Sequence, residues 1–303
     1  MSDTLLALSE ALAGAVDRAA QSIVAVHARP RLPSTGVHWR DGLIVTTDGT
    51  VRRTEGITVT LPDGRSIPAT LKGRDSGTDL AVLAIPTGLL PVAPLATARL
   101  RPGHLVLALG RADESGPWSS FGAVSSTGGT WRTWKGGEIE WRLQSGLPIY
   151  PGMGGGPLVD VAGLVHGINS GGLSRPLATT IPVQTVERVL NSLLSSGYVA
   201  RGYIGAALQS VRFSDAARTR MNLSRDGGLV IMEVDADGPA GAAGLLLGDV
   251  LLTANGVALE TPDDLLTLLG PTMVGRTLQL ELVRGGAPTT AELLVGERPR
   301  KPA

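Results

Sequence analysis

The side chains that could do chemistry in this 303-residue chain are few. It contains no cysteine, which excludes disulfides, thiolate catalysis and cysteine-based metal sites. Its four histidines are His27, His38, His104 and His166. None of them has a second histidine or a glutamate at a spacing typical of zinc ligands. We therefore expect neither a metal nor another cofactor.

A glycine-rich stretch, Tyr150–Asp160, is the segment around which the other motifs are organised. It resembles the nucleophile loop of the HtrA/Deg family of trypsin-like serine proteases, which reads Asn-Pro-Gly-Asn-Ser-Gly-Gly-Pro-Leu-Val-Asp. The two patterns align without a gap, but Gly154 stands where the family has its serine. Glycine has no oxygen to attack a carbonyl. Backbone N–H groups near Gly152 and Gly154 could still form an oxyanion hole, which would bind a carbonyl or carboxylate without cleaving it.

The resemblance also implies positions for the other two members of the catalytic triad. The family's histidine lies a fixed number of residues before the isoleucine of the next strand, and counting back from Ile57 leads to Gly49. The family's aspartate corresponds to Asp79, in the block Asp-Leu-Ala-Val-Leu. In a serine protease the histidine accepts the proton of the attacking hydroxyl, and the aspartate orients the histidine. With glycine at both other positions no covalent route remains, and Asp79 is expected to be a buried acceptor.

Two alternatives stay open. One is an active HtrA-family serine endopeptidase whose triad is relocated or has been engineered out, with Thr50 and Ser145 as candidate nucleophiles. No histidine stands at a family catalytic position to serve them. The other is small-ligand binding in the former cleft near Gly154. The preceding segment Leu147–Tyr150 is more apolar than the family's loop, which is consistent with a closed or altered cleft.

The composition and the strand pattern predict a mostly β protein. The chain has 41 glycines and 20 prolines, and its apolar runs are short and separated by turn signals. Two series of such runs, from Ser22 to Ala98 and from Arg101 to Ile181, suit two small barrels. An amphipathic helix is expected over residues 4 to 21, packed on the first barrel.

Charge and hydropathy argue against nucleic-acid and membrane partners. Basic and acidic residues both number 27, so the net charge is zero and no basic patch is evident. A cluster of tryptophans between residues 118 and 141 is interpreted as packing groups rather than as a platform for bases. No apolar window is long enough to span a membrane, and the acidic start does not resemble a secretory signal. We expect the cytoplasm, or the periplasm if a signal was removed.

The last third of the sequence resembles the PDZ domain of HtrA proteins, from Gly202–Ala206 through Gly238–Leu245 to Leu280–Gly286. In PDZ domains an extended peptide adds a strand beside a glycine-containing loop, whose amides hold the terminal carboxylate. The residues implied for this loop are Tyr203, Ile204, Gly205 and Ala206. A helix is predicted to begin after the N-cap Thr261, and it places Leu265, Leu268 and Leu269 either near the groove or in the ordinary core.

Together these features predict an all-β-dominated chain in which a chymotrypsin-like double barrel precedes a PDZ domain. The expected segments are an N-terminal helix (1–21), the double barrel with a linker helix (22–198), the PDZ domain (201–297) and a tail (298–303). The expected function is that of a catalytically inactive HtrA homologue, which acts as a peptide-binding scaffold or regulator. Its expected partners are C-terminal or extended peptide segments, and further copies of itself or an active relative in an oligomer.

Overall fold

The computed structural model describes residues 2–111, 116–173, 178–221, 223–270 and 273–298. The chain divides into two compact units, Met1–Val199 and Ala200–Ala303. Each unit has its own hydrophobic core. None of the helices within the described ranges is long and apolar enough to cross a membrane.

The first unit begins with a six-stranded closed barrel. Its strands are β1 (Ile23–His27), β2 (Ser34–Arg40), β3 (Leu43–Thr46), β4 (Ile57–Thr60), β5 (Ser66–Asp75) and β6 (Leu80–Ala84). They pair in the order β1-β2-β3-β6-β5-β4, and a short 3₁₀ turn, Asp48–Thr50, follows β3. The polar start of β2 hid this strand from the sequence pattern. Gly36 is required there, because a Cβ at this position would lie 2.8 Å from Cγ2 of Val26 inside the barrel.

A second closed barrel follows, with a small hairpin inserted in its connections. Its strands are β7 (Leu105–Gly110), β8 (Trp118–Gly128), β11 (Arg142–Ser145), β12 (Pro157–Asp160), β13 (Val165–Ser170) and β14 (Ala178–Pro182). The hairpin strands are β9 (Trp131–Arg132) and β10 (Glu138–Ile139). The barrel closes in the order β11-β14-β13-β12-β7-β8. The predicted fold class, two closed barrels followed by a PDZ domain, is confirmed.

Two helices complete the first unit. The N-terminal helix α1 (Ser2–Ala20) packs against β7 and β12 of the second barrel, so the predicted packing on the first barrel is wrong. Its Arg18 donates to the carbonyl oxygen of Ala162 at 3.2 Å, and its small residue Ala15 is fully buried. The linker helix α2 (Val183–Ser196) ends at Gly197, whose φ of +77° suits a left-handed C-cap.

The second unit is a sheet covered by short helices. Its strands are β15 (Gly202–Tyr203), β16 (Ala206–Arg212), β17 (Gly227–Val234), β18 (Val250–Ala254), β19 (Val257–Ala258), β20 (Thr277–Arg284), β21 (Ala287–Leu294) and β22 (Gly296–Glu297). The helices are α3 (Asp215–Met221), α4 (Pro239–Ala242) and α5 (Pro262–Leu268). The main sheet runs in the order β16-β17-β18-β20-β21, so β16 lies at an edge. Thr261 and Asp264 form a capping box that starts α5.

Candidate functional site

The turn between β5 and β6 fixes Asp79. Oδ2 of Asp75 accepts hydrogen bonds from the backbone N–H of Thr78 at 3.0 Å and from its hydroxyl at 2.7 Å. Asp79 itself has a φ of +57°, which side-chain-bearing residues adopt uncommonly and at a cost in strain. The sequence therefore holds Asp79 in one orientation through local hydrogen bonds of the turn.

The carboxylate of Asp79 is buried and accepts two hydrogen bonds. Its Oδ1 accepts from the backbone N–H of Gly49 at 2.8 Å, and its Oδ2 accepts from the hydroxyl of Ser170 at 2.6 Å. Only 5% of the residue is exposed. Burial raises the pKa of this carboxyl, while the two donors and the charge of Lys135 act in the opposite direction. Asp79 is thus a positioned acceptor in a site of low polarity.

Gly49 lies in the 3₁₀ turn that follows β3, directly beside Asp79. The N–H of the preceding residue, Asp48, donates to the backbone oxygen of Asp79 at 3.1 Å. An ion pair between Asp48 and Arg74 of β5 holds this turn against the first barrel. A Cβ placed on Gly49 would meet one heavy atom within 4 Å, Oδ1 of Asp79 at 3.2 Å. A side chain at position 49 would therefore leave the backbone next to the Asp79 carboxylate.

The glycine-rich loop lies across the same region. The hydroxyl of Thr35 donates to the carbonyl oxygen of Gly152 at 2.7 Å, and its N–H donates to that of Gly154 at 3.1 Å. A Cβ on Gly154 would lie 3.7 Å from Cγ2 of Thr50 and 3.8 Å from Oγ1 of Thr47, which are ordinary contact distances. Thr47 and Thr50 lie on either side of Gly49 in the sequence, so positions 154 and 49 are neighbours across the turn that follows β3.

The glycines of this loop differ in what the fold demands of them. Gly152 and Gly155 have φ values of +97° and +87°, and a Cβ on Gly155 would overlap the carbonyl oxygen of Thr35. A Cβ on Gly156 would overlap the carbonyl oxygen of Leu109. Gly154 has neither a positive φ nor a close neighbour. Glycine is a conformational requirement at positions 155 and 156, but not at position 154.

Two backbone donors of the loop have no partner in the described part of the chain. The N–H groups of Gly152 and Gly154 donate to no acceptor there, whereas the N–H of Met153 donates to the carbonyl oxygen of Tyr150 at 3.0 Å. Donors of this kind on alternate residues can stabilise a negatively charged oxygen when both point at it.

The four histidines are bonded elsewhere in the fold. His27 lies 2.9 Å from Thr60, in a setting where burial lowers its pKa. His38 contacts the carbonyl oxygen of Pro91 and the N–H of Gly42. His104 accepts weakly from the N–H of Arg101 at 3.5 Å, and His166 contacts Asp160 at 3.0 Å. None of these contacts involves Gly49, Asp79 or Gly154.

The two hydroxyl candidates have different settings. Oγ1 of Thr50 donates to the carbonyl oxygen of Thr47 at 2.8 Å and is therefore already engaged. Ser145 is buried in β11, and its hydroxyl has no hydrogen-bond partner within the described part of the chain. No group of metal-ligating side chains large enough to hold an ion occurs among the described residues.

In the second unit, the predicted carboxylate loop lies at the start of the edge strand β16. The carbonyl oxygen of Gly205 accepts from the N–H of Asp235 at 2.8 Å, and that of Ile204 accepts from the N–H of Ala240. The N–H groups of Ile204 and Gly205 donate to no acceptor in the described ranges. Gly205 has a φ of +75°, which favours glycine. The predicted carboxylate loop therefore carries two amides without an acceptor.

The other predicted groove residues are only partly where the sequence suggested. Leu265 of α5 is 3% exposed and belongs to the core of this unit, while Ala206 and Leu208 of β16 are half-buried beside it. Tyr203 points its hydroxyl to Asp235, 3.2 Å away, and that hydrogen bond adds to burial in raising the pKa of the tyrosine. Leu265 thus supports the groove floor from within the core.

Comparison with known proteins assigns both units to described families. Residues 34–168 match the family described as trypsin-like peptidase domain, and residues 202–295 match the PDZ domain. The structure of "HtrA-type protease AlgW with tripeptide" is 31% identical, with a TM-score of 0.75, and the match covers 96% of this chain and 98% of that one. This chain belongs to the HtrA family.

Other HtrA relatives agree with that placement. The serine endoprotease from Yersinia pestis is 29% identical, with a TM-score of 0.76, and the match covers 95% of this chain and 98% of that one. A Pseudomonas savastanoi protein named "Probable periplasmic serine endoprotease DegP-like" is 36% identical over 86% of this chain. The match covers 54% of that protein, so the chain spans about half the length of the curated relatives it matches.

Several contacts of this HtrA-family site were not predicted from the sequence. Ser170 donates to Asp79, and Thr35 holds the glycine-rich loop through its hydroxyl and its N–H. The β9–β10 hairpin also reaches the site, because Thr133 donates to the carbonyl oxygen of Gly77 at 2.6 Å. Ser170 follows the block Gly-Ile-Asn in β13, and this family-like block is the signal that could have identified it.

Proposed function

We propose that this HtrA-family chain has no proteolytic activity of its own and binds peptides through its PDZ domain. The carrying observation is that glycine occupies both position 49, beside the buried acceptor Asp79, and position 154, beside two free amides. Neither glycine can supply a nucleophile or a proton acceptor. Removal of the serine or the histidine alone from such a triad costs about 10⁶ in turnover.

The backbone at positions 49 and 154 favours the loss of two side chains over a rearranged site. Positions 49 and 154 both lack a positive φ. A Cβ would have ordinary contacts at position 154, and at position 49 it would require the Asp79 carboxylate, 3.2 Å away, to shift by a few tenths of an ångström. By contrast, a Cβ at position 155 would overlap the carbonyl oxygen of Thr35, so the fold requires glycine there. Neither Gly49 nor Gly154 adopts a backbone conformation that only glycine favours. The backbone at these two positions is therefore compatible with residues that carry a side chain.

A relocated triad is the less favoured function. Every histidine is bonded away from the site, and Ser145, although unpaired, lies in β11 without a histidine contact among the described residues. A second candidate function does have a supporting observation. The free N–H groups of Gly152 and Gly154 would suit the carboxylate of a small ligand.

The PDZ unit supports peptide binding. It combines an edge strand, two free amides at Ile204 and Gly205, and an adjacent helix, α5. This is the arrangement by which an extended peptide adds to a sheet with its carboxylate held in the loop. We further propose the boundaries 22–198 and 201–297 for the two domains. Oligomers with an active HtrA relative would bring such peptides to a working protease, whereas oligomers of further copies would present several peptide sites together.

The proposed location follows the relatives. The matched Pseudomonas proteins are named periplasmic, which favours the periplasm and gives no support to the cytoplasm expected from the sequence.

Active-site labelling tests the proposal. A fluorophosphonate probe should leave the natural chain unlabelled and should label a Gly49→His/Gly154→Ser double variant. Labelling of the natural chain would overturn the proposal and would identify the actual nucleophile by peptide mapping.

A further inference from the structure

The PDZ unit has a cavity of about 530 Å³ at one end of β16. It is lined by the last residues of β16, by the segment that leads into β17, and by the residues just before α5. β16 and α5 are the two walls of the peptide groove proposed above. The carboxylate loop, Ile204 and Gly205, is at the start of β16, so the cavity lies at the opposite, upstream end of the groove.

The groove is held at this upstream end by a hydrogen bond. The hydroxyl of Ser210 in β16 donates to the carbonyl oxygen of Glu260 at 2.8 Å. Arg212, two residues further along β16, lines the same cavity as Ser210 and Glu260. Arg212 therefore lies near the entry to α5.

The cavity has two arginines without a carboxylate partner. Within the part of the chain that the structure describes, neither Arg212 nor Arg225 forms an ion pair, and both line the cavity. Asp226, which also lines it, is already ion-paired with Arg218. Arg218 is in addition 3.2 Å from Asp215. Glu260 also lines the cavity, so the lining holds two basic and two acidic side chains, and its two arginines have no carboxylate partner among the described residues.

We propose that this cavity is a second subsite of the peptide groove, which takes an acidic side chain four to six residues before the peptide's C-terminus. A peptide strand antiparallel to β16, with its last residue beside Ala206, would place alternate residues opposite Leu208, Ser210 and Arg212. Directly opposite residues share a face of the sheet, so the residues four and six before the last point toward the cavity. The two guanidinium groups there can bind a carboxylate with paired hydrogen bonds.

This inference rests on peptide binding by the PDZ domain, and the test separates the two. Fluorescence anisotropy with the full chain would compare three peptides that share the same apolar C-terminal tripeptide. One is the tripeptide itself, one is a decapeptide with glutamate four and six residues before the end, and one has alanine at those two places. Failure of all three to bind would remove the peptide-binding function itself, and the subsite with it.

The glutamate peptide should bind about three- to tenfold more tightly than the alanine peptide at low ionic strength, and the difference should shrink in 0.5 M salt. Arg212→Gln combined with Arg225→Gln should abolish the difference while leaving tripeptide binding unchanged, which also shows that the variant is folded. Arg276→Gln is the matched control. It removes a positive charge just before β20, outside the cavity, and should retain the difference in affinity between the two decapeptides. Equal affinity of the two decapeptides for the natural chain, alongside normal tripeptide binding, would overturn the subsite alone.

Discussion

The backbone N–H of Gly49 donates to Oδ1 of Asp79 at 2.8 Å, and a Cβ on Gly49 would lie 3.2 Å from the same oxygen. Ser170 meanwhile donates to the other carboxylate oxygen. A carboxylate can accept about four hydrogen bonds, so Asp79 retains acceptor capacity toward the space where a side chain of residue 49 would extend. A base placed beside Gly49 could therefore donate a hydrogen bond to Asp79.

Added imidazole should substitute for the absent side chain in a Gly154→Ser variant. The small base would occupy the space beside Gly49, accept the serine proton and be oriented by Asp79. Fluorophosphonate labelling of this variant should rise about tenfold or more with imidazole, because a positioned general base contributes 10²–10⁴ in rate. Gly154→Ser/Asp79→Asn is the control and should show no rise. If imidazole has no effect although Gly49→His/Gly154→Ser is labelled, the space beside Gly49 does not hold a base.

Two neighbouring glycines should respond oppositely to alanine. Gly154→Ala is expected to change the free energy of unfolding by less than about 0.5 kcal/mol, since a Cβ fits and the unfolded chain loses entropy. Gly155→Ala should cost about 2 kcal/mol or more, because of its positive φ and the overlap with Thr35. Urea unfolding followed by tryptophan fluorescence measures both, and all five tryptophans lie in the first unit. Equal losses would show that position 154 is not the permissive site described above.

Asp79 should give the first unit a measurable pH dependence. Its pKa in the folded chain is raised by burial, so the folded state holds the proton to higher pH than the unfolded state does. Its contribution to stability is therefore present below the unfolded pKa of about 3.9 and is lost as the pH rises through the folded value. Asp79→Asn removes this titration. The variant should gain stability relative to the natural chain as the pH rises from 4 to 7, and a constant difference in urea midpoint would contradict the assignment.

The terminal carboxylate of a peptide ligand should matter to the PDZ unit. The free N–H groups of Ile204 and Gly205 offer charge-assisted hydrogen bonds that an amide cannot replace. Amidation of the C-terminus of a bound peptide should weaken binding by about tenfold or more, measured by titration calorimetry with the acid form as the control. Unchanged affinity would place the ligand elsewhere on the domain.

Features that depend on neighbouring residues, such as helix caps, could be predicted from the sequence. Contacts between residues far apart in the sequence could not. The N-cap at Thr261 and the C-cap at Gly197 are local signals, and the structure has both. The packing of α1 on the second barrel buries Ala15 and Ala19 and brings Arg18 to the carbonyl oxygen of Ala162, far along the chain. The spacing of apolar residues predicts the helix but not the surface that it packs against.

The candidate site shows the same division. Gly49, Asp79 and Gly154 were predicted as site residues from family blocks, but the contacts of Ser170 with Asp79 and of Thr35 with the glycine-rich loop were not. These partners lie on other strands, and only barrel closure brings them to the site. Leu265 was expected near the groove on helical spacing alone, which does not distinguish a groove residue from the core position that it occupies.

Hydrolysis of casein tests the central claim most directly. The natural chain, the Gly49→His/Gly154→Ser variant and a triple variant that also carries Asp79→Asn would be compared under the same conditions. We expect no hydrolysis by the natural chain, clear hydrolysis by the double variant, and a loss of roughly 10⁴ in turnover when Asp79 is removed. Hydrolysis of casein by the natural chain at a rate comparable with the double variant would contradict the account.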